Sequence, residues 1–263
     1  MRTTIIVLFT LMLIGNALAD IKGQEVQYTA DSVTLKGYLI YDSNFKGKRP
    51  GVLVVHEWWG HNDYARKRAR LLAELGYTAL AVDMYGDGKQ AAHPDDAGKF
   101  AGEVMQNMAA ATSRFLAGMT LLKQHESVDT SKIGAIGYCF GGGIVLNMAR
   151  LGIDLKGVVS FHGSLAAAAT VKKGGVKAKV LVCHGAVDKF ISQEDVTNFK
   201  KELQDANVDF SFKSYKGAMH SFTNPSANEY GKKFNLPLAY NATADKDSWN
   251  DMKAFFKRVF AKK

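Results

Sequence analysis

The sequence KIGAIGYCFGGGIVLNM, at residues 132–148, combines a short apolar strand, a glycine-rich turn and the beginning of a helix. At its centre, Gly137-Tyr138-Cys139-Phe140-Gly141 has the form of a nucleophile elbow with cysteine in the central position. Such a sharp turn strains the backbone of its central residue, and side chains on the flanking glycines would collide with the packed helix. The pattern predicts that Cys139 lies at a helix N-terminus, where the helix dipole favours a thiolate and the N–H of Phe140 can hold an oxyanion.

The glycine run allows two other interpretations. A phosphate-binding loop would need Lys-Ser or Lys-Thr after the glycines, and this chain has neither there. The dinucleotide pattern G-x-G-x-x-G does not fit either. A purely structural turn between a strand and a helix stays open at this point.

Apolar runs of strand length alternate with helical patterns along the rest of the chain. Residues 32–41 alternate like a half-buried antiparallel strand, and five short apolar runs have the pattern of buried parallel strands: 52–55, 78–82, 133–137, 157–160 and 180–183. A further strand is predicted at 208–215, and helices at 64–75, 95–125, 144–150, 193–205 and 244–259. This alternation predicts an α/β fold with a mostly parallel central sheet, helices on both faces and functional residues at the strand ends.

Two later segments place polar side chains just beyond predicted strands. VLVCHGAVD, at residues 180–188, puts Asp188 after one strand, and YKGAMH, at residues 215–220, puts His220 in the loop after the next. The chain order nucleophile, acid, histidine is that of the α/β-hydrolases. We therefore predict a Cys139, Asp188 and His220 triad on a single-domain α/β-hydrolase fold; a helix cap at Asp188 and a structural histidine at 220 are the alternatives.

HEWWGH, at residues 56–61, contains two histidines and a carboxylate, as a zinc site would. Zinc proteases need their histidines four residues apart on one helical face, whereas these are five apart and follow the apolar, strand-like run GVLVV at residues 51–55. The sequence therefore predicts no metal site here, and it places Glu57 at the carboxyl end of a strand.

The chain has 263 residues, of which 47% are hydrophobic, and this composition suits one large globular domain. Residues 1–19 have a basic start, a short apolar run and a small-residue cleavage site after Ala19, which predicts a secretory signal, a mature domain at 20–263, and periplasmic or secreted localisation. The signal is short for a membrane span, so no stable membrane insertion is expected.

The charge of +9 is scattered without a nucleic-acid motif, which argues against a nucleic-acid partner. A disulfide between the two cysteines stays open.

Taken together, HEWWG, GYCFGGG, HGAVD and AMHSF resemble the dienelactone hydrolase family, over about residues 24–260. The resemblance implies hydrolysis of a small-molecule ester or lactone without metal or cofactor. It implies Cys139 as the nucleophile, Asp188 and His220 as its triad partners, and Glu57 as a carboxylate that meets the resting thiol. The backbone N–H of Trp58 would then be the second oxyanion donor.

One departure from the family concerns the substrate. Dienelactone hydrolases grip the substrate carboxylate with two arginines, and neither the corresponding segment 83–87 nor Asn224 supplies one. Because a small anionic lactone needs such a charge-assisted grip, we expect the substrate to be a neutral or aromatic ester instead. We also expect the protein to be a monomer. The predicted pocket residues are Trp59, Tyr85, Phe222 and Asn224. A non-catalytic binding protein on a hydrolase scaffold, or a thioester or amide hydrolase, are the alternatives.

Overall fold

The computed structural model describes residues 19–168 and 171–261. The predicted signal, apart from its last residue, lies outside the described residues. Within them, eight strands form one sheet, and their bounds are β1 (Ile21–Ala30), β2 (Val33–Asp42), β3 (Arg49–Val55), β4 (Thr78–Val82), β5 (Val128–Tyr138), β6 (Gly157–Phe161), β7 (Lys179–Gly185) and β8 (Phe210–Tyr215). Seven helices accompany them: α1 (Asp63–Glu74), α2 (Pro94–Gln106), α3 (Met108–Gln124), α4 (Phe140–Arg150), α5 (Gln193–Asp205), α6 (Ala227–Phe234) and α7 (Ala242–Phe260).

The sheet has the strand order β1-β2-β4-β3-β5-β6-β7-β8. Strands β3 to β8 are parallel to one another, while β1 and β2 pair antiparallel and β2 joins β4 antiparallel. This is the predicted single-domain α/β fold with a mostly parallel sheet and an antiparallel N-terminal strand, so that prediction is confirmed. None of the helices in the described ranges is long and apolar enough to cross a membrane.

The central strands are apolar on both faces because each face is covered by helices. In β3, Leu53 and Val55 belong to one core cluster, whereas Val52 and Val54 belong to the other. Helices α3, α4 and α5 contribute to the first cluster, and α1 and α7 to the second. Burial on both sides explains why these strands read as continuous apolar runs rather than alternating ones.

The prediction of one helix over residues 95–125 is wrong, because the chain forms α2 and α3 with a break at Asn107. The Asn107 side chain accepts a hydrogen bond from the N–H of Ala110, which caps the start of α3. Asparagine favours this capping role over a helix interior, since its side chain competes for backbone hydrogen bonds. Strand β1 and helix α6 had no counterpart in the sequence prediction.

The parallel strands all end at one edge of the sheet, and that edge carries the candidate site. Glu57 follows β3, Cys139 follows β5 and His162 follows β6. Asp188 follows β7 and His220 follows β8. Residues far apart in the sequence therefore lie together, as expected for ligand sites in open α/β sheets.

Candidate active site

Cys139 occupies a sharp turn between β5 and α4, with φ 51° and ψ −116°. A side chain on Gly137 would overlap the carbonyl oxygen of Gly141, and one on Gly141 would overlap the carbonyl oxygens of Val55 and His56. The N–H of Gly141 donates to the His56 carbonyl at 3.1 Å, which fixes the elbow against the end of β3. Both glycines are needed because strand, turn and helix approach each other so closely.

His220 lies in the loop between β8 and α6, residues 216–226, which we call the His220 loop. Its Nδ1 lies 2.8 Å from Oδ2 of Asp188, and the other oxygen of Asp188 accepts a hydrogen bond from the N–H of Phe190 at 2.8 Å. Since Nδ1 faces the carboxylate, Nε2 is left for a partner on the other side of the ring, and His220 and Cys139 line the same cavity. The fold thus brings Cys139, Asp188 and His220 together.

The electrostatics favour a protonated His220. Burial lowers the pKa of this imidazole, but the electrostatic interaction with Cys139 and the hydrogen bond to Asp188 outweigh burial and raise its pKa to about 10. A positively charged ring beside a sulfur is the arrangement that stabilises a thiolate nucleophile.

Glu57 is buried, with 2% of its surface exposed, directly after β3. Among the described residues its side chain accepts hydrogen bonds from Oγ of Ser221 at 3.1 Å and Nδ2 of Asn224 at 2.6 Å. Burial raises the pKa of the Glu57 carboxyl, while the hydrogen bond from Asn224 and the nearby charge of His220 oppose that rise. In this conformation the carboxylate is held by the His220 loop, and the predicted contact with the thiol stays a prediction.

Trp58 and Phe140, whose backbone N–H groups are the predicted oxyanion donors, line the same cavity as Cys139. Among the described residues, neither the N–H of Phe140 nor that of Trp58 has a hydrogen-bond acceptor. The carbonyl oxygen of Trp58 accepts a hydrogen bond from the hydroxyl of Tyr85 at 2.9 Å, which fixes that peptide. Both N–H groups are therefore available to a substrate oxygen, as an oxyanion hole requires.

A cavity of about 270 Å³ opens beside the sulfur. Its lining is mostly apolar and is formed by Trp58, Ala101, Met105, Cys139, Phe140, Ser164, Phe190, Ile191, His220 and Leu238. As far as the described residues go, the lining contains no lysine, arginine, aspartate or glutamate. Two parts of the lining could not be predicted from the sequence: Ala101 and Met105 of α2, and Phe190 and Ile191 after Asp188. Only tertiary packing brings these residues close to Cys139.

The four predicted pocket residues, Trp59, Tyr85, Phe222 and Asn224, are not part of this lining. Trp59 packs against Trp58 and against Tyr230 of α6, with ring centroids 5.1 and 4.6 Å apart. Tyr85 packs against His56 and Phe140 at 4.7 and 5.5 Å. Both aromatic rings therefore support the walls of the cavity instead of forming them.

The other two predicted pocket residues belong to the His220 loop. Phe222 is fully buried and packs edge-on against His162, with ring centroids 5.2 Å apart. Asn224 donates its amide N–H to Glu57, as described above. A position that carries arginine in the family thus holds an amide that binds a buried carboxylate.

A buried polar chain behind the elbow was not foreseen from the sequence. The backbone N–H of Cys139 lies 3.1 Å from Nδ1 of His162 and 3.0 Å from the Phe161 carbonyl oxygen. Nε2 of His162 lies 2.6 Å from the hydroxyl of Thr223, whose oxygen lies 2.6 Å from the hydroxyl of Tyr64. These hydrogen bonds connect the elbow to the His220 loop and to α1.

Arg68 and Asp245 complete this chain. The guanidinium of Arg68 donates to the Tyr64 hydroxyl at 3.1 Å, to the Thr223 carbonyl, and to Asp245 of α7 at 2.6 Å. Arg68 is 5% exposed, and its buried charge is tolerated because Asp245 pairs with it and because Nε and Nη2 donate hydrogen bonds. We call Asp245, Arg68, Tyr64, Thr223 and His162 the buried polar chain.

Within residues 19–168 and 171–261, no group of three or more His, Cys, Asp or Glu side chains is arranged to hold a metal ion. Cys139 and Cys183 are both free, and Cys183 is buried in β7. Burial raises the pKa of the Cys183 thiol to about 12, so it is chemically inert compared with a thiol that faces an imidazole.

The sheet, the elbow and the histidine-carboxylate pair at its edge define an α/β-hydrolase. The chain belongs to the dienelactone hydrolase family, whose model matches residues 35–260, and it is a hydrolase. A dienelactone hydrolase-like promiscuous phosphotriesterase from metagenomic libraries is 35% identical in sequence, with a TM-score of 0.84 over 92% of this chain and 99% of that one.

Curated relatives agree with this family membership. Protein usf from Aquifex pyrophilus is 30% identical over 240 residues, which cover 89% of this chain and 98% of the relative. A protein from Aquifex aeolicus, provisionally named as a carboxymethylenebutenolidase, is 28% identical over 77% of this chain and 87% of its own length.

Proposed function

We propose that this hydrolase cleaves ester or lactone bonds with Cys139 as the nucleophile, His220 as the general base and acid, and Asp188 as the residue that orients His220. The observation that carries the proposal is the position of the His220 ring, which is hydrogen-bonded to Asp188 at 2.8 Å and lines the same cavity as Cys139. This is the relay of nucleophile, base and orienting carboxylate that covalent acyl transfer requires.

The reaction has two stages, acylation of Cys139 and hydrolysis of the resulting thioester. His220 takes the thiol proton, the Cys139 sulfur attacks the substrate carbonyl, and the N–H groups of Trp58 and Phe140 bind the resulting oxyanion. Collapse of this intermediate breaks the ester bond; the leaving alkoxide takes the proton from His220 and leaves a thioester on Cys139. Water then attacks the thioester and gives a proton to His220, and the acid departs as the thiol is restored.

The substrate class follows from the cavity. A volume of about 270 Å³ with an apolar lining suits a small neutral or aromatic acyl group. An anionic lactone would be desolvated there without an arginine or lysine to grip it, because the family's arginine position is Asn224 and that amide binds Glu57. The proposed substrates are therefore neutral esters or lactones rather than dienelactone.

Two further parts of the proposal concern control and location. Glu57 is proposed to meet the sulfur in the resting enzyme, where it holds the thiol protonated, until substrate rearranges the pair; its side-chain donors away from the sulfur, Ser221 and Asn224, both lie on the His220 loop. The basic and apolar pattern of residues 1–19 supports export to the periplasm or beyond.

Substitution of the proposed nucleophile tests the mechanism. We expect Cys139→Ala to lower kcat for p-nitrophenyl esters of short acids by at least about a thousandfold, because the covalent step is lost. Cys139→Ser should be impaired too, since a hydroxyl depends more heavily on its base. The control is Cys183→Ala, which removes the other, buried thiol and should leave kcat unchanged.

Mass spectrometry of the protein quenched during turnover should find the acyl group on the peptide that contains Cys139. Full turnover by Cys139→Ala would contradict the mechanism. A matched panel of ester, thioester, amide and phosphotriester substrates separates the leaving groups, and it shows whether the activity in the metagenomic relative's name extends to this chain.

A further inference from the structure

Thr223 is the point where the elbow and the His220 loop meet. Its hydroxyl lies 2.6 Å from Nε2 of His162, and the N–H of Cys139 donates to the other nitrogen of the same ring. The backbone carbonyl of Thr223 accepts from Arg68, and Thr223 is three residues beyond His220. One residue of the His220 loop is therefore connected to the elbow through the His162 ring.

The hydrogen bonds fix which nitrogen of His162 carries a proton. A backbone N–H can only donate, so Nδ1 of His162 must present a lone pair to Cys139. The proton is then on Nε2 and points at the Thr223 hydroxyl oxygen. Burial, with the positive charges of His220 and Arg68, holds the pKa of His162 well below its usual value, which keeps the ring neutral.

We infer that Thr223 is a positioning residue for the proposed reaction: its hydroxyl holds His162 as a neutral acceptor for the Cys139 N–H, while its backbone holds the His220 loop on Arg68. The inference rests on the proposed function, because it concerns how Cys139 and His220 are aligned. The strained backbone of Cys139, at φ 51°, needs such support, since a relaxed turn would re-aim its sulfur.

Thr223→Val is the test because valine keeps the shape and removes only the hydroxyl. The Nε2–H of His162 then loses its acceptor, and the ring is free to change tautomer or tilt. We expect kcat to fall by about 10- to 100-fold with KM within about threefold, as happens when reacting groups are slightly misaligned. Thr223→Ser restores the hydroxyl and should return kcat to within about threefold of the wild type.

Thr78→Val is the matched control. Thr78 is also fully buried and its hydroxyl also lies 2.6 Å from a hydroxyl, that of Ser127, but it starts β4 at the opposite edge of the sheet. The same chemical change there should lower the melting temperature and leave kcat unchanged. A kcat loss in Thr78→Val as large as that in Thr223→Val would overturn the inference, because both would then reflect general destabilisation.

Two measurements do not depend on ester turnover. The rate at which iodoacetamide alkylates Cys139, followed from pH 5 to 10, should fall and change its pH profile in Thr223→Val, while Cys183 stays unreactive through burial. Nitrogen NMR of the wild type should show His162 protonated at Nε2. If no ester is cleaved, the proposed function fails, and these results still decide the role of Thr223.

An Nδ1-protonated His162, or a Thr223→Val protein with wild-type kcat and alkylation profile, would refute the inference. Should Thr223→Val fail to fold, Tyr64→Phe removes the next hydroxyl in the buried polar chain, 2.6 Å from that of Thr223. A smaller kcat loss of about 3- to 10-fold is then expected, and wild-type kcat in that variant would count against the inference.

Discussion

Cys139 combines a strained backbone with a reactive side chain. A residue other than glycine at φ 51° and ψ −116° costs about 1–3 kcal/mol and persists only where its surroundings hold it. Here its N–H donates to Phe161 and His162, and its carbonyl accepts from Gly143 at 3.2 Å. Hydrogen bonds on both sides of the turn therefore hold Cys139 in this strained conformation, which directs its sulfur toward His220.

Asp188→Asn tests the electrostatics at His220. Asp188 helps to raise the pKa of His220, so an amide at this position should lower that pKa. The ring then loses its proton at a lower pH, and the alkaline limb of the kcat/KM profile should move to lower pH. We also expect kcat to fall by about a hundredfold or more, because the amide no longer fixes the tautomer. An alkaline limb at the wild-type pH would contradict this assignment.

Single residues were predictable where a local motif forces them. Cys139, Asp188 and His220 follow predicted strands in an order that indicates their chemistry, and the fold brings all three together. Thr223 and Arg68 belong to no motif, because their roles depend on contacts across 155 residues of sequence. Such roles are defined by tertiary packing and cannot be read from local patterns.

Helices and strands were also predictable where local sequence defines them, and they were missed where distant contacts do. Strand β4 and helix α5 agree with the predicted bounds because an apolar run defines β4 and a capping serine, Ser192, defines the start of α5. Strand β1 was missed because it pairs only with β2 at the sheet edge and buries little of its surface. Helix α6 is short, and tertiary contacts of its aromatic residues with Trp59 stabilise it.

Two glycine-to-alanine changes contrast the elbow with an ordinary helix. In Gly137→Ala the new methyl group would overlap the Gly141 backbone, so we expect the turn to distort and ester hydrolysis to be lost. In Gly98→Ala, inside α2, nothing lies within 4 Å of the new methyl group. That variant should gain about 0.5–1 kcal/mol in stability and keep its activity. Urea denaturation and ester assays check both, and an active Gly137→Ala protein would refute the steric argument.

The whole molecule places neutral histidines in its interior. Burial lowers the pKa values of His56 and His162 below the ordinary 6.5, and together with nearby positive charges it lowers that of His61 to about 3. These rings stay uncharged in the folded protein. The unfolded chain, in contrast, binds protons at all three once the pH falls below about 6.5.

Stability should therefore decrease as the solution is acidified. Each histidine contributes up to about 1.4 kcal/mol per pH unit of lost unfolding free energy below pH 6.5, down to its folded pKa. Glu57 and His220 act in the opposite sense because their pKa values are raised, but the contribution of His220 is complete once the pH is below about 6.5, where Glu57 alone opposes the three histidines. Urea denaturation at pH 7, 6 and 5 measures how steeply the free energy of unfolding depends on pH. In His61→Gln this dependence should correspond to about one proton fewer taken up on unfolding. A free energy of unfolding independent of pH over this range would contradict the assignment.

The order of the segments also determines when the enzyme becomes reactive as it is synthesised. The sulfur is 81 residues ahead of the imidazole that would activate it, and 106 ahead of the aspartate that anchors Arg68. Because His220 follows β8, the last strand of the sheet in chain order, its imidazole is synthesised after every strand. A nascent chain that has not reached residue 220 therefore carries a thiol without the imidazole proposed to activate it.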